Sequence, residues 1–210
     1  MGPPGSGKGT QAKKIAAKYN YVHVSSGDLL RALALKSELS SEEKDVLEKI
    51  KSGNLVSSEF MYKLVLEKIE GEIAAGRKVV LDGFPRRLEQ AIKLQQFFSE
   101  HNLLNEVLVL EITLSDEESL NRLASRRVCS RCGEIIPASS AALTVCPKCS
   151  GELVIRQDDD VEIVKQRIAK QGNKAMEPII DFYKELGVLE TVDGNQTIEN
   201  VEKDIAIILI

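Results

Sequence analysis

An open α/β fold, a mostly parallel sheet wound on both faces by helices, is what this sequence predicts, and three observations carry the prediction. Short apolar runs that suit strands, at 21–24, 78–81, 107–112 and 189–192, alternate with longer helical stretches. The run at 78–81, Lys-Val-Val-Leu, lacks polar alternation, as a strand covered on both faces requires. Near the start, Gly2-Pro3-Pro4-Gly5-Ser6-Gly7-Lys8-Gly9-Thr10 runs straight into a helical segment, the junction by which α/β proteins hold phosphate at the strand ends.

The elements follow in chain order. Residues 10–19 read as the helix behind that glycine-rich turn, and 21–24 as a strand ending in Ser25-Ser26-Gly27-Asp28. A polar helical stretch follows, broken near 37–39 and restarted at Ser40 or Ser41, with Gly53 as its stop. Residues 59–75 form a helix closed by Gly76, and the strand at 78–81 ends at Asp82. Helices at 88–101 and 116–126 flank the strand at 107–112. A compact cysteine-bearing insert interrupts the alternation, then 161–187 is helical, kinked or restarted at Pro178, before the last strand at 189–192. The tail allows two readings. As a strand, Ile205 to Ile210 would sit in the sheet centre beside Gly2. As a helix from about Ile198, it places Ile198, Val201, Ile205, Ile208 and Leu209 on one stripe, and this is the reading adopted. A helical tail leaves no strand ahead of the glycine-rich turn, so the strands at 22–24, 78–81 and 107–112 are expected to close a gap.

Bulk composition excludes several classes. A chain of 210 residues supports one real core with inserts. A net charge of −4 argues against a nucleic-acid binder driven by overall charge, and 4% aromatics supply few stacking platforms. There is no signal peptide and no apolar run of membrane-spanning length, so the reading is a cytoplasmic protein, expected to be a monomer with no membrane or nucleic-acid partner.

Four groups of residues carry chemistry. Gly2, Gly7 and Lys8 keep the spacing of a P-loop, with Gly9 in the usual Ser/Thr slot and the hydroxyl at Thr10. Its backbone N–H groups cradle phosphate and Lys8 supplies the mobile charge. Cys129, Cys132, Cys146 and Cys149 form two C-x2-C pairs within 21 residues, a spacing for four thiolates around a structural zinc, with iron as the competing metal. Asp82, in Asp82-Gly83-Phe84-Pro85-Arg86, stands at a strand end where a carboxylate can hold the water shell of Mg²⁺. Arg31, Arg86, Arg122, Arg126, Arg156 and Arg167 sit near strand ends, insert boundaries or helix starts, where fixed guanidinium groups can neutralise two nucleotides exchanging a phosphoryl group. The only histidines, His23 and His101, read as structural or surface residues.

Taken in order, GPPGSGKGTQA, SSGDLLR, GNLV, DGFPR with Gln90, RLASRR, the four cysteines, RQDDD and VDG resemble an adenylate kinase of the long-lid, zinc-containing type over essentially the whole chain. The resemblance implies a P-loop nucleoside monophosphate kinase fold with a zinc-knuckle lid. It divides the chain into a core of 1–24, 57–124 and 161–210, an AMP-binding segment at 25–56 and a lid at 125–160. It implies reversible phosphoryl transfer from MgATP to AMP, giving two ADP. Lys8, Arg86, Arg122, Arg126, Arg156 and Arg167 are the expected catalytic residues. ATP is expected on Gly5, Ser6, Gly7, Lys8, Gly9, Thr10, Arg122, Arg126, Ile135, Ile136 and Gln196. AMP is expected on Ser26, Arg31, Asn54, Leu55, Val56, Gly83, Phe84, Pro85, Arg86, Gln90, Arg156 and Arg167, with Gln90 offering a donor and an acceptor to the purine. Arg87, where the family has Thr, and the stretch 170–178 depart from the pattern. The alternatives are a kinase for UMP/CMP or GMP, and a zinc-knuckle nucleic-acid binder using Arg127, Arg131 and Lys148.

Overall fold

The computed structural model describes residues 1–51, 54, 56–136, 143–156 and 159–209. Leu55, Gly53 as a helix stop, and the position of Ile210 relative to Gly2 lie outside the described residues.

Helix α1, Lys8–Tyr19, leads to strand β1, Val22–Ser25, and helix α2, Ser26–Leu33. Helices α3, Ser41–Lys51, and α4, Ser58–Ala74, precede strand β2, Val79–Asp82, and helix α5, Leu88–Glu100. A short 3-10 turn at Leu104–Glu106 precedes strand β3, Val109–Thr113, and helix α6, Asp116–Ser125. The cysteine insert contributes strands β4, Arg127–Cys129, β5, Ile135–Ile136, and β6, Leu153–Val154. Helices α7, Val161–Gln171, and α8, Asn173–Glu185, strand β7, Leu189–Asp193, and helix α9, Ile198–Ile208, complete the order.

The helix starts are written in short polar side chains. Ser25, Ser57, Ser115 and Thr197 each accept a hydrogen bond from a backbone N–H three residues on, capping α2, α4, α6 and α9. At α3 the exchange is mutual: Glu43 N–H donates to Ser40 Oγ at 3.2 Å, and Ser40 N–H donates to Glu43 Oε2 at 2.8 Å, a capping box.

Strands β1 and β2 pair in parallel, with Ser25 opposite Asp82, and β3 and β7 pair in parallel, with Thr113 opposite Asp193. Both pairs therefore end their C-terminal edges beside the glycine-rich turn, where ligands of such sheets bind. The expected closing of the gap does not occur. Among the described residues β2 and β3 are not paired, and the sheet is two parallel ribbons. Part of the space is taken by the first residue: Met1 N donates to Leu110 O, and Ile112 N–H donates to Met1 O at 3.0 Å. Among the described residues β1 is the one strand paired with β2, and the residues of β2 are partly buried rather than fully buried on both faces as read from the sequence.

The tail is helical, as its stripe indicates. Val201 and Ile205 of α9 are buried with Ile15, Ile112 and Val192, and Ile208 and Leu209 pack at the margin. A second core gathers Val24, Leu33, Val46, Met61, Val65, Ile69, Phe84 and Leu94 around β1, α2, α4 and α5. The 161–187 stretch breaks at Gly172, not at Pro178, which lies inside α8. Gly172 takes an extended ψ of −168° and lies where a side chain would meet the Ile168 carbonyl, so the chain turns there, while Pro178 keeps a helical φ at the loss of one hydrogen bond.

Candidate active site

The glycine-rich turn and the start of α1 build the floor. Gly7 caps α1 with φ 90°, a left-handed conformation open to glycine, and Lys8 is the first helical residue. Gly9 answers the question raised by the missing Ser/Thr: a Cβ there would lie 3.1 Å from Asp82 Oδ2, so glycine lets the β2 carboxylate approach the loop. The Ser6 side chain is buried, and among the described residues its Oγ has no hydrogen-bond partner.

Lys8 Nζ donates to Pro3 O at 3.0 Å. Burial, with Arg86 next in weight, lowers its pKa to about 7. Burial alone would raise Asp82, but the neighbouring His23 and the Lys8 and Arg86 charges outweigh it and hold the carboxyl at about 2. His23, expected as a structural or surface residue, borders the cleft, with Nε2 3.7 Å from Asp82 Oδ2. The strand register explains why, because His23 lies opposite Val80 one pleat before Asp82.

One cleft of about 1860 Å³ collects the candidates. The loop side supplies Gly5, Gly7, Lys8, Gly9 and Thr10. Ser26, Arg31, Asn54 and Val56 come from the region of α2 to α4, and Asp82, Gly83, Phe84, Arg86 and Gln90 from the β2–α5 turn. Arg122, Arg126, Ile135, Arg156, Arg167 and Gln196 close the other side. Ser6, Pro85 and Ile136 lie outside this lining.

The arginines are held in place. Arg122 donates from Nε to Glu118 Oε1 at 2.9 Å and from Nη2 to Gly194 O at 3.0 Å. Arg31 donates to Asp28 Oδ1 at 2.5 Å, and Arg86 Nε to Gly83 O at 2.7 Å. The sequence reading missed two of the groups that fix them. Asp159, its side chain fully buried, receives a two-pronged bond from Arg126 at 2.7 and 2.5 Å and a third from Arg167 at 3.1 Å. The acidic run 158–160 beside so many arginines was the available signal. Gln171 accepts from Arg86 Nη1, and nothing in a lone Gln on a helix announces that.

The four cysteines also meet. Their Sγ atoms lie within 4.8 Å of one another, with Cys129 and Cys149 3.4 Å apart and Cys132 and Cys146 3.7 Å apart. Thiolates around one tetrahedral zinc at about 2.3 Å would stand about 3.8 Å apart, so the set fits that ion. Cys132 N–H points at Cys129 Sγ at 3.5 Å, lowering that thiol to about 6. A Cβ at Gly151 would lie 2.8 Å from Cys129 Sγ, so the second knuckle needs glycine to close. The antiparallel ribbon β5-β4-β6 carries the set.

Comparison with known proteins agrees with this geometry. The family model described as adenylate kinase matches residues 1–188. The adenylate kinase of Petrotoga mobilis is 40% identical, with all of this chain and 95% of the relative aligned. That of Archaeoglobus fulgidus is 39% identical over all of this chain and 95% of its own length, and that of Bacillus cytotoxicus 39% over all of this chain and 96% of its own. Likeness end to end, together with a phosphate loop and a set of arginines facing one cleft, places the chain in the adenylate kinase family.

Proposed function

We propose that this cleft performs the family's reaction, reversible transfer of a phosphoryl group between ATP and AMP, with the residues divided as follows. The observation that carries the proposal is the meeting of Lys8, Arg86, Arg122, Arg126, Arg156 and Arg167 along one cleft with the phosphate loop at its floor. The donor triphosphate lies on Gly5, Gly7, Lys8, Gly9 and Thr10, with Arg122 and Arg126 over its phosphates and Ile135 and Gln196 nearer its base. The acceptor monophosphate lies between Arg31, Arg86, Arg156 and Arg167, with its base among Ser26, Asn54, Val56, Phe84 and Gln90.

The acceptor atom is a phosphate oxygen that is already anionic, so no side chain has to remove a proton. Catalysis is then a matter of holding two polyanions in line and neutralising the charge that builds up between them. Lys8 and the arginines do this with donors fixed by Glu118, Asp159 and backbone carbonyls before substrate arrives. Magnesium, bound with ATP, would add charge neutralisation at the transferred phosphoryl group. Asp82, ionised down to about pH 2, is the residue that would hold its water shell. In our reading 25–56 and 125–160 close over the two nucleotides and shed water from the site.

Initial rates with AMP, UMP, CMP and GMP at fixed MgATP test the assignment. A preference for AMP is expected; a faster rate with a pyrimidine monophosphate overturns the acceptor pocket as drawn. In the same reading the cysteines hold zinc, and the metal only folds the insert. Stripping it with a chelator should lower the Tm while leaving kcat close to its starting value at temperatures where the fold persists. Immediate loss of turnover with an unchanged circular dichroism spectrum would contradict the structural role.

A further inference from the structure

Gln90 is 3% exposed and borders the cleft, and its amide is held at both ends by groups outside the base pocket. Arg86 N–H donates to Gln90 Oε1 at 2.7 Å. Gln90 Nε2 donates to Ser58 Oγ at 3.2 Å. The Ser58 hydroxyl in turn donates its single proton to Glu89 Oε1. Ser58 Oγ also faces Arg87 Nη1 at 3.4 Å, and Arg87 Nη1 lies 3.7 Å from Glu89 Oε1. The hydroxyl thus gives one bond and receives two, which exhausts a serine.

We infer that Ser58 and Glu89, with Arg87 behind them, are specificity-determining residues that lock the Gln90 amide in the orientation complementary to a 6-aminopurine. The inference rests on the reading above that Gln90 faces the acceptor base. With Oε1 on Arg86 N–H and Nε2 on Ser58, the amide has one lone pair and one proton left. That pair matches the amino donor and neighbouring ring acceptor of adenine. A 6-oxopurine presents the opposite pattern, a carbonyl acceptor beside a ring N–H. To meet it the amide must turn over. Its NH2 would then oppose the Arg86 N–H, and its oxygen would oppose Ser58 Oγ, whose proton is committed to the Glu89 carboxylate. Two donor or acceptor mismatches bar the flip, and one of them is set by Ser58 and Glu89. This also gives Arg87 a place: it stands where its charge holds the Glu89 carboxylate and fills the last lone pair of Ser58.

The test compares AMP with IMP, which differ only at position 6 and the adjacent ring nitrogen, as kcat/KM at fixed MgATP. Ser58→Ala and Glu89→Ala each remove the mismatch at Ser58. Each should lower the AMP-to-IMP ratio roughly three- to tenfold, the value of about one net hydrogen bond, through a lower KM for IMP and with kcat on AMP within about twofold of the parent. Glu89→Gln keeps an acceptor for the hydroxyl and should keep the parent ratio. Gln90→Leu removes the reader itself and should collapse the ratio. If Gln90→Leu collapses it while Ser58→Ala and Glu89→Ala leave it within twofold, the locking role is overturned and the base-reading role of Gln90 stands. If Gln90→Leu leaves it unmoved, both fall.

Discussion

Asp159→Ala is expected to cost about 3–5 kcal/mol of stability, the usual result of leaving buried charge unpartnered, and to cut kcat/KM along with it. The carboxylate is fully buried, and the guanidinium groups it holds, on Arg126 and Arg167, are about 14–15% exposed, so little solvent screens the loss. Without it Arg126 loses a two-pronged partner and both arginines lose a shared anchor, so neither is pre-set for phosphate. Denaturant unfolding measures the first effect and steady-state kinetics the second. A variant with parent stability and parent turnover would show that Asp159 anchors nothing that matters. Asp159→Asn should retain part of the geometry and fall between, because one amide oxygen can still accept.

Lys8→Met should lower kcat/KM about 10²–10³-fold, the range for removing one preorganised charge donor from a transition state. Lys8 also predicts a pH dependence whose sign can be worked out. Its pKa in the free protein is lowered to about 7, against 10.5 for an ordinary lysine. Between those values the unfolded chain binds more protons at this position, so its contribution makes folding more favourable as pH rises through the window. Nucleotide binding runs the other way. Phosphate restores the charge, so above pH 7 the complex forms with uptake of a proton, and Kd for MgATP should rise by up to about tenfold per pH unit until the pKa of the complex is reached. Titration calorimetry from pH 7 to 9 measures it; the same slope in Lys8→Met would remove Lys8 as its source.

Much of this was readable because the signals were local. A phosphate loop needs glycines and a lysine in sequence, a cysteine tetrad needs two knuckles, and parallel strands need short apolar runs; each writes itself in a few adjacent residues. The helical tail was legible for the same reason, through the stripe Val201, Ile205 and Ile208. What stayed hidden depends on residues far apart in the chain. The Ser58–Glu89 contact spans 31 positions, and the Arg126–Asp159 pair spans 33. Arg87 was an unexplained departure until Ser58 and Glu89 stood beside it. The place of His23 at the cleft was hidden because one pleat of register decides whether it meets Asp82 or solvent. The break at Gly172 instead of Pro178 is local by contrast, a close approach to the carbonyl of Ile168 four residues earlier that a side chain would obstruct.

The two ribbons of the sheet carry distinct apolar cores that meet at Val80 of β2, and in our reading each core backs a different nucleotide. The cleft wall proposed for the acceptor base, with Val56, Met61 and Phe84, is continuous with the core around β1, α2, α4 and α5. The phosphate loop meets β2 at Gly9 and leans on the other half as well: Gln11 Nε2 donates to Ile198 O at 2.8 Å, and Ile15 of the same helix lies in the core of β3, β7 and α9. On that reading ligand energy would enter mainly at the core behind each nucleotide. A monophosphate would shore up one half against transient opening and a triphosphate chiefly the other, so the molecule would be braced most fully with both nucleotides aboard.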